Sequence, residues 1–135
     1  MTTALATPTM PATTHSRALL SALTSSQIWV DAFNRGDLAH CADTYTETAL
    51  LEAKPFGTFN GREAIRAFWA DLLSKGARQL NYEHIKLDQL DARTMILSAR
   101  WTMNIGGGVI SVERWEEING RWMLTEDRFE VLTQA

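Results

Sequence analysis

The stretch GTFNGREAIRAFW, Gly57 to Trp69, decides how the chain is laid out. Its first half is built to turn. Gly57 and Gly61 free the backbone, and Asn60 offers a side-chain oxygen to the unpaired N–H groups of a helix start. Its second half is amphipathic. Glu63 stands in the first turn, where the helix dipole favours a carboxylate. Ala64, Ile65, Phe68, Leu72 and Leu73 recur at helical spacing and form a wide apolar stripe. Gly76 closes the helix after Lys75. A stripe that wide needs a large apolar surface to lie on.

That surface follows in the sequence. RQLNYEHIKLDQL leads to DARTMILSARWTMNI, the glycines Gly106 to Gly108 read as a turn, and VISVERWEEI comes next. Asn119-Gly120 then joins it to RWMLTEDRFEVL, and Asn-Gly between two such runs is a strong hairpin signal. Upstream, a first helix starts near Ser16 or Ser25, runs through SQIWVDAFNRGD with Ile28, Trp29, Ala32 and Phe33 on one face, and ends at Gly36. Asp37 caps a second helix, LAHCADTYT, with Leu38, Cys41, Ala42 and Tyr45 as its apolar positions. TALLEA reads as a strand and KPFGTFNG as turn and loop.

Helices first and an antiparallel meander after them predict an α+β fold, with the helices on one face of the sheet. Met95, Leu97, Ala99, Trp101 and Met103 share one strand face, and Ser98, Arg100 and Thr102 share the other. The apolar face should meet the helices. In the last strand Trp122 and Leu124 have one parity, Phe129 and Val131 the other. That switch predicts a β-bulge near Thr125 and Glu126. A bulge bends a sheet, and a bent sheet with three helices over its concave face makes a cone with a cavity.

The 135 residues and 15.1 kDa suffice for one domain with a real core. We read 1–16 as a disordered tail, rich in Thr, Ala and Pro, and 17–135 as the domain. The tail lacks the basic start and apolar run of a secretory signal; an organelle transit peptide, poor in acids, stays open. A net charge of -3 and the absence of a basic stripe argue against nucleic acid, and the apolar runs are too short for a membrane span. The one cysteine, Cys41, cannot form an internal disulfide, which fits a reducing, cytoplasmic setting. His40 beside it points elsewhere on a helix, so Cys41 reads as a buried structural thiol. His15, His40 and His84 show no metal-ligand spacing, and no metal or cofactor is expected.

The segments FNRGD, YTETALLEAKPFG, FNGREAIRAFW and ERWEEINGRWMLTEDRFEV, in this order and spacing, resemble the SnoaL-like and ketosteroid-isomerase-like branch of the nuclear transport factor 2-like superfamily. The resemblance runs over about Ser25 to Leu132. It implies a conical α+β fold, usually a homodimer, with an apolar pocket between helices and sheet. Relatives include isomerases, cyclases, epoxide hydrolases and dehydratases, along with proteins that only bind or assemble, so fold does not settle function.

The catalytic positions of that branch are only partly filled. Where the isomerases place an oxyanion tyrosine, this chain has Trp29; where they place a protonated aspartic acid, it has Ser111. The base position falls on Ala53 counting from Tyr45 and on Glu52 counting back from GRE. Of the hydrolase Asp-Arg-Asp set, Asp127 matches, Arg100 is near its position, and Thr102 replaces an aspartate.

Asp127 and Glu52 are therefore the candidate catalytic residues. A carboxyl facing an apolar pocket has its pKa raised and can exchange protons near neutral pH. The plain alternatives are a salt bridge for Asp127 and a solvent-facing strand position for Glu52. His84, between Glu83 and Lys86, is a further acid or base candidate that reads better as surface. Candidate ligand-binding residues are the aromatics Trp29, Phe33, Phe56, Phe68, Trp101 and Phe129, with Leu97. Ser111 and Glu113, of one parity, join them as polar groups; the plain reading of the five tryptophans is core and dimer interface, with Trp115 the candidate for a dimer surface.

Three functions stay open. The first is cofactor-free isomerisation, cyclisation or hydration of a small apolar or aromatic molecule, with Trp29 or Ser111 as hydrogen-bond donor. It requires polar groups converging on an apolar cavity. The second is non-catalytic binding or assembly, which requires a filled or purely apolar cavity with the carboxylates in salt bridges. The third is dimerisation through the outer sheet face, where Arg100, Arg114 and Glu116 fall.

Overall fold

The computed structural model describes residues 6–134, with side chains over 16–134. In chain order the elements are α1 (Ala6–Arg35), α2 (Leu38–Asp43), β1 (Tyr45–Lys54), β2 (Gly57–Asn60), α3 (Arg62–Ser74), β3 (Asn81–Asp91), β4 (Thr94–Met103), β5 (Gly106–Ile118) and β6 (Arg121–Gln134). The six strands form one curved, unclosed sheet in the order β2-β1-β6-β5-β4-β3, and the helices pack on it. The expected α+β cone is present, with one difference. The sheet is antiparallel except where β1 runs parallel to β6.

Local sequence explains most element ends. Gly36, at φ 75°, stops α1, and the Asp37 carboxylate accepts from the His40 backbone N–H at 3.1 Å to start α2. Asn119 and Gly120 both have positive φ, as the two-residue hairpin between β5 and β6 requires. Several readings change, among them KPFGTFNG, read as turn and loop, whose residues Gly57–Asn60 pair with β1 as strand β2. α1 begins at Ala6, well before Ser16; of the tail, residues 1–5 lie outside the described residues. Ile28 is exposed, and the buried stripe of α1 instead follows Ala18, Ala22, Ser26, Trp29 and Phe33. α3 is capped by Gly61 without a side-chain bond, because Asn60 is paired with Leu50 in β2. Tyr45 opens β1 rather than extending α2.

The glycine run is not a turn. Gly106 to Gly108 start β5, and the turn is at Asn104 and Ile105. The reason is steric. A Cβ on Gly108 would lie 1.9 Å from the Glu130 carbonyl oxygen, and one on Gly106 would lie 2.5 Å from that of Thr133. Only glycine lets β5 approach β6 this closely.

The core lies between the helices and the concave sheet face. Met95, Leu97, Ala99 and Trp101 of β4 are buried there, while Arg100 and Thr102 face out. Of the three register shifts between β5 and β6, two set the faces near the core. Arg114 pairs with Glu126 and Trp115 with Leu124, leaving Thr125 as the extra residue of β6, as its parity switch predicts. Ile110 pairs with Phe129 and Val112 with Arg128, leaving Ser111 as the extra residue of β5.

Candidate functional site

A cavity of about 290 Å³ opens between α3 and the sheet. Its wall is aromatic and aliphatic: Trp29 from α1, Phe68 and Trp69 from α3, Tyr82 from β3, Trp101 and Met103 from β4, Ile110 from β5, and Phe129 and Val131 from β6. Trp69 stacks on Phe129 at 5.8 Å, and Trp101 meets Phe129 edge-on at 5.9 Å. Phe56, Ile105 and the exposed pair Asp71 and Lys75, 2.9 Å apart, line the more exposed part of the wall.

One buried carboxyl belongs to this wall. Asp127 is 6% exposed and follows the Thr125 bulge, which turns it inward with Phe129. The Tyr45 hydroxyl donates to Asp127 Oδ2 at 2.6 Å, and Trp69 Nε1–H donates to the Tyr45 oxygen at 3.2 Å. No other described residue bonds to the Asp127 carboxyl, and none forms an ion pair with it. Burial pushes its pKa up to about 8; the nearby Glu113 carboxyl pushes the same way, and the Tyr45 bond pulls partly back.

Glu113 is the register partner of Asp127 across β5 and β6, and is 3% exposed. Burial raises its pKa too, but three neutral donors oppose that: Tyr82 at 2.6 Å, Trp115 Nε1–H at 2.9 Å and Ser26 at 3.0 Å. Two adjacent buried carboxyls favour holding one charge between them. Glu113, with three donors against one for Asp127, is where that charge belongs; Asp127 then keeps its proton.

The structure sorts the candidates from the sequence. Asp127, Trp29, Phe56, Phe68, Trp101 and Phe129 come together at the cavity. Glu113 stands behind Asp127 rather than on the wall. Glu52 does not reach the site. It points outward and pairs with Arg128 at 3.4 Å, while Ala53 takes the buried position, as counting from Tyr45 requires. Ser111 is exposed, because its bulge breaks the parity it would share with Glu113; its hydroxyl lies 3.4 Å from the Arg128 carbonyl. Phe33 and Leu97 are core: Phe33 stacks behind Trp29 at 5.6 Å, and neither lines the cavity. Trp29 is a wall and not a donor to a ligand, since its Nε1–H is bonded to the Cys41 carbonyl at 3.1 Å. Trp115 is fully buried and bonded to Glu113, so it is no dimer-surface residue. Trp101 Nε1 is buried without a partner among the described residues.

Tyr45 and Tyr82 are the polar site residues that sequence reading missed, and the wall residues Trp69, Met103, Ile110 and Val131 also lie outside its ligand-binding candidates. The signal for Tyr45 was the alternation Tyr45, Ala49, Leu51, Ala53, all buried, which extends β1 back to Tyr45. Cys41 is inert: burial pushes its thiol up to about 12. No group of three His, Cys, Asp or Glu side chains able to hold a metal occurs among the described residues, and no described helix is long and apolar enough to cross a membrane.

Residues 27–123 match the SnoaL-like domain family, and the chain belongs to it. No curated protein matches the sequence. Among solved structures, the chain is similar to a protein provisionally described as a scytalone dehydratase from Novosphingobium aromaticivorans, at 10% identity and a TM-score of 0.80, covering 92% of this chain and 90% of that one. It is similar to LinA at 12% identity and a TM-score of 0.71, covering 90% and 88%, and to ActVI-ORFA from Streptomyces coelicolor at 15% identity and 0.69, covering 84% and 96%. At these identities the likeness establishes the nuclear transport factor 2-like, cystatin-like fold and no shared activity.

Proposed function

We propose that the protein binds a small, largely apolar molecule in this cavity and catalyses cofactor-free proton transfer on it through Asp127. The observation that carries the reading is the Asp127 carboxyl on an aromatic wall, held by one neutral donor and no cation. A carboxyl used only for structure is normally paired or solvated; this one is neither. With its pKa raised to about 8, it donates a proton at neutral pH and accepts one in its ionised form. Tyr45 orients it and Glu113 holds its proton in place by charge. Isomerisation, cyclisation and the addition or loss of water are the reaction types that need no more than this. The neighbours described as a scytalone dehydratase and as ActVI-ORFA share the fold, which supports a pocket use without choosing the chemistry. A homodimer, which the family resemblance implies, belongs to the same proposal.

The test is deuterium exchange. Cyclic ketones and cyclic imines of one or two rings are incubated with the protein in D2O, and C–H to C–D exchange beside the C=O or C=N group is followed by NMR. Exchange by the parent and its loss in Asp127→Asn is the expected result. Binding without exchange would make this a ligand-binding domain, and equal exchange by the parent and Asp127→Asn would remove Asp127 from the chemistry.

A further inference from the structure

We infer that the ligand carries a basic nitrogen, bound as an ammonium ion against the Asp127 carboxylate and the faces of the surrounding indole and phenyl rings. The inference rests on the reading of the cavity as the ligand site, and deepens it by naming the ligand class.

Charge is the argument. Every buried ionisable group at the cavity is an acid. Asp127 and, behind it, Glu113 are acids, and Trp29, Trp69, Trp101, Phe68 and Phe129 line the cavity with aromatic rings, whose faces are the negative side of the ring quadrupole. The hydrogen bonds that reach the two carboxyls come from Ser26, Tyr45, Tyr82 and Trp115, all neutral. The chain has 13 Lys and Arg residues, and Lys75 is the single one on the cavity wall. It is already paired with Asp71 and mostly exposed. No Lys or Arg precedes Arg17 in the sequence. Buried carboxylates are ordinarily matched by a cation. Here the fold provides the acid, the space beside it and a set of aromatic rings of the kind that attract organic cations, and among the described residues no cation pairs with the acid. An anionic ligand meets repulsion from the Glu113 charge and keeps Asp127 from ionising.

The protons balance without any further reactant. An ammonium ion entering the site takes the place of the Asp127 proton: R–NH3⁺ and the neutral carboxyl give the R–NH3⁺ carboxylate pair and one H⁺ released to water. Only the O–H bond of Asp127 breaks. The other groups that face Asp127 do not exchange with it near neutral pH. Tyr45 from β1 and Tyr82 from β3 are held protonated by burial, Cys41 of α2 likewise, and Asp71 and Lys75 of α3 form their own exposed pair. Glu113 of β5 keeps its charge through its three donors.

The experiment is titration calorimetry with 2-phenylethylamine and its neutral isostere 2-phenylethanol, at about pH 6 and about pH 8, in buffers of different ionisation enthalpy. Expected is an amine affinity at least about tenfold above that of the alcohol at the higher pH. It should rise by about tenfold per pH unit below the Asp127 pKa, with about one proton released per amine bound. The alcohol should show neither pH dependence nor proton release, and Asp127→Asn should lose the preference for the amine. An amine bound no better than the alcohol, or bound without proton release, overturns the inference while leaving the cavity as a ligand site. Failure of both compounds to bind overturns the inference and counts against the cavity reading too. The proton release is measured on the unaltered protein, so the outcome does not depend on the variant folding.

Discussion

The Asp127 side chain is asked to be two things that oppose each other, buried and ionisable. Its folded pKa of about 8 lies above the ordinary 3.8. Between those values the folded chain holds a proton that the unfolded chain has lost. By linkage, its contribution to stability is complete below about pH 4 and falls as pH rises toward about 8. Raised Glu113 acts in the same direction. Asp127→Asn, close in shape and never charged, should therefore melt above the parent at about pH 8, with the gap closing toward about pH 4. Thermal melts across that range check it; a constant gap would mean that Asp127 is not buried as a neutral acid. Glu113→Gln removes the charge beside it, so carboxyl-selective NMR titration should show the Asp127 pKa falling. Tyr45→Phe should move it the other way, since the 2.6 Å bond it removes favours the ionised form. That variant should also lose about 1–3 kcal/mol of stability in denaturant unfolding, because a buried acceptor is left with less than its full set of partners.

Single elements put these residues in place. Tyr45 reaches Asp127 because β1 starts three residues before the apolar run that marks it in the sequence, and Asp127 faces the cavity because Thr125 is an extra residue in β6. Ser111, one strand over, is turned out by the same device. Bulges of this kind depend on β5 and β6 lying close together, and Gly108 is what allows it. Gly108→Ala would bring a methyl group to within 1.9 Å of the Glu130 carbonyl oxygen, and both are backbone or near-backbone atoms with no side chain to swing aside. The β5 and β6 pairing should open there, with a loss of about 3 kcal/mol or more in unfolding free energy by urea titration. Loss of protection for the neighbouring amides in hydrogen exchange would locate the damage; an unchanged urea midpoint would show that the strands can part without penalty.

The whole molecule is a curved sheet whose open concave face is completed by α1 and α3. Three tryptophans, Trp29, Trp69 and Trp101, line the cavity this leaves. Occupation by a small aromatic ligand should quench their emission and raise the melting temperature, since a ligand bound only to the folded state stabilises it by mass action. Ile110→Trp, which fills the space from the β5 side, should abolish both effects while the circular dichroism of the folded chain is kept. The outer sheet face carries Glu52, Arg128, Glu126, Arg114 and Glu116 in paired charges. Sedimentation equilibrium tests the proposed dimer directly: a mass of about twice the 15.1 kDa chain is expected.

Much of this architecture was readable along the chain because its signals are local. The caps at Asp37 and Gly76, the Asn119-Gly120 hairpin, the stripe of α3, the alternation of β4 and the parity switch at Thr125 each depend on neighbours a few residues apart. They are enough for an α+β fold with a bent sheet, and for Asp127 at its cavity. What they do not contain is contact between distant segments. Gly106 to Gly108 look like a turn until β6 is seen to lie against them. Glu52 and Ala53 are equivalent until β1 is registered on Arg128 and Phe129. The Trp29 indole looks like a free donor until the Cys41 carbonyl is brought to it. The partnership of Asp127 with Tyr45, 82 positions away, and of Glu113 with Ser26, 87 away, exists only once the sheet has closed over the helices. Hydrogen bonds and desolvation act through space at a few ångströms, so the protonation of the site, and with it what the site can do, belongs to the fold rather than to any segment of the chain.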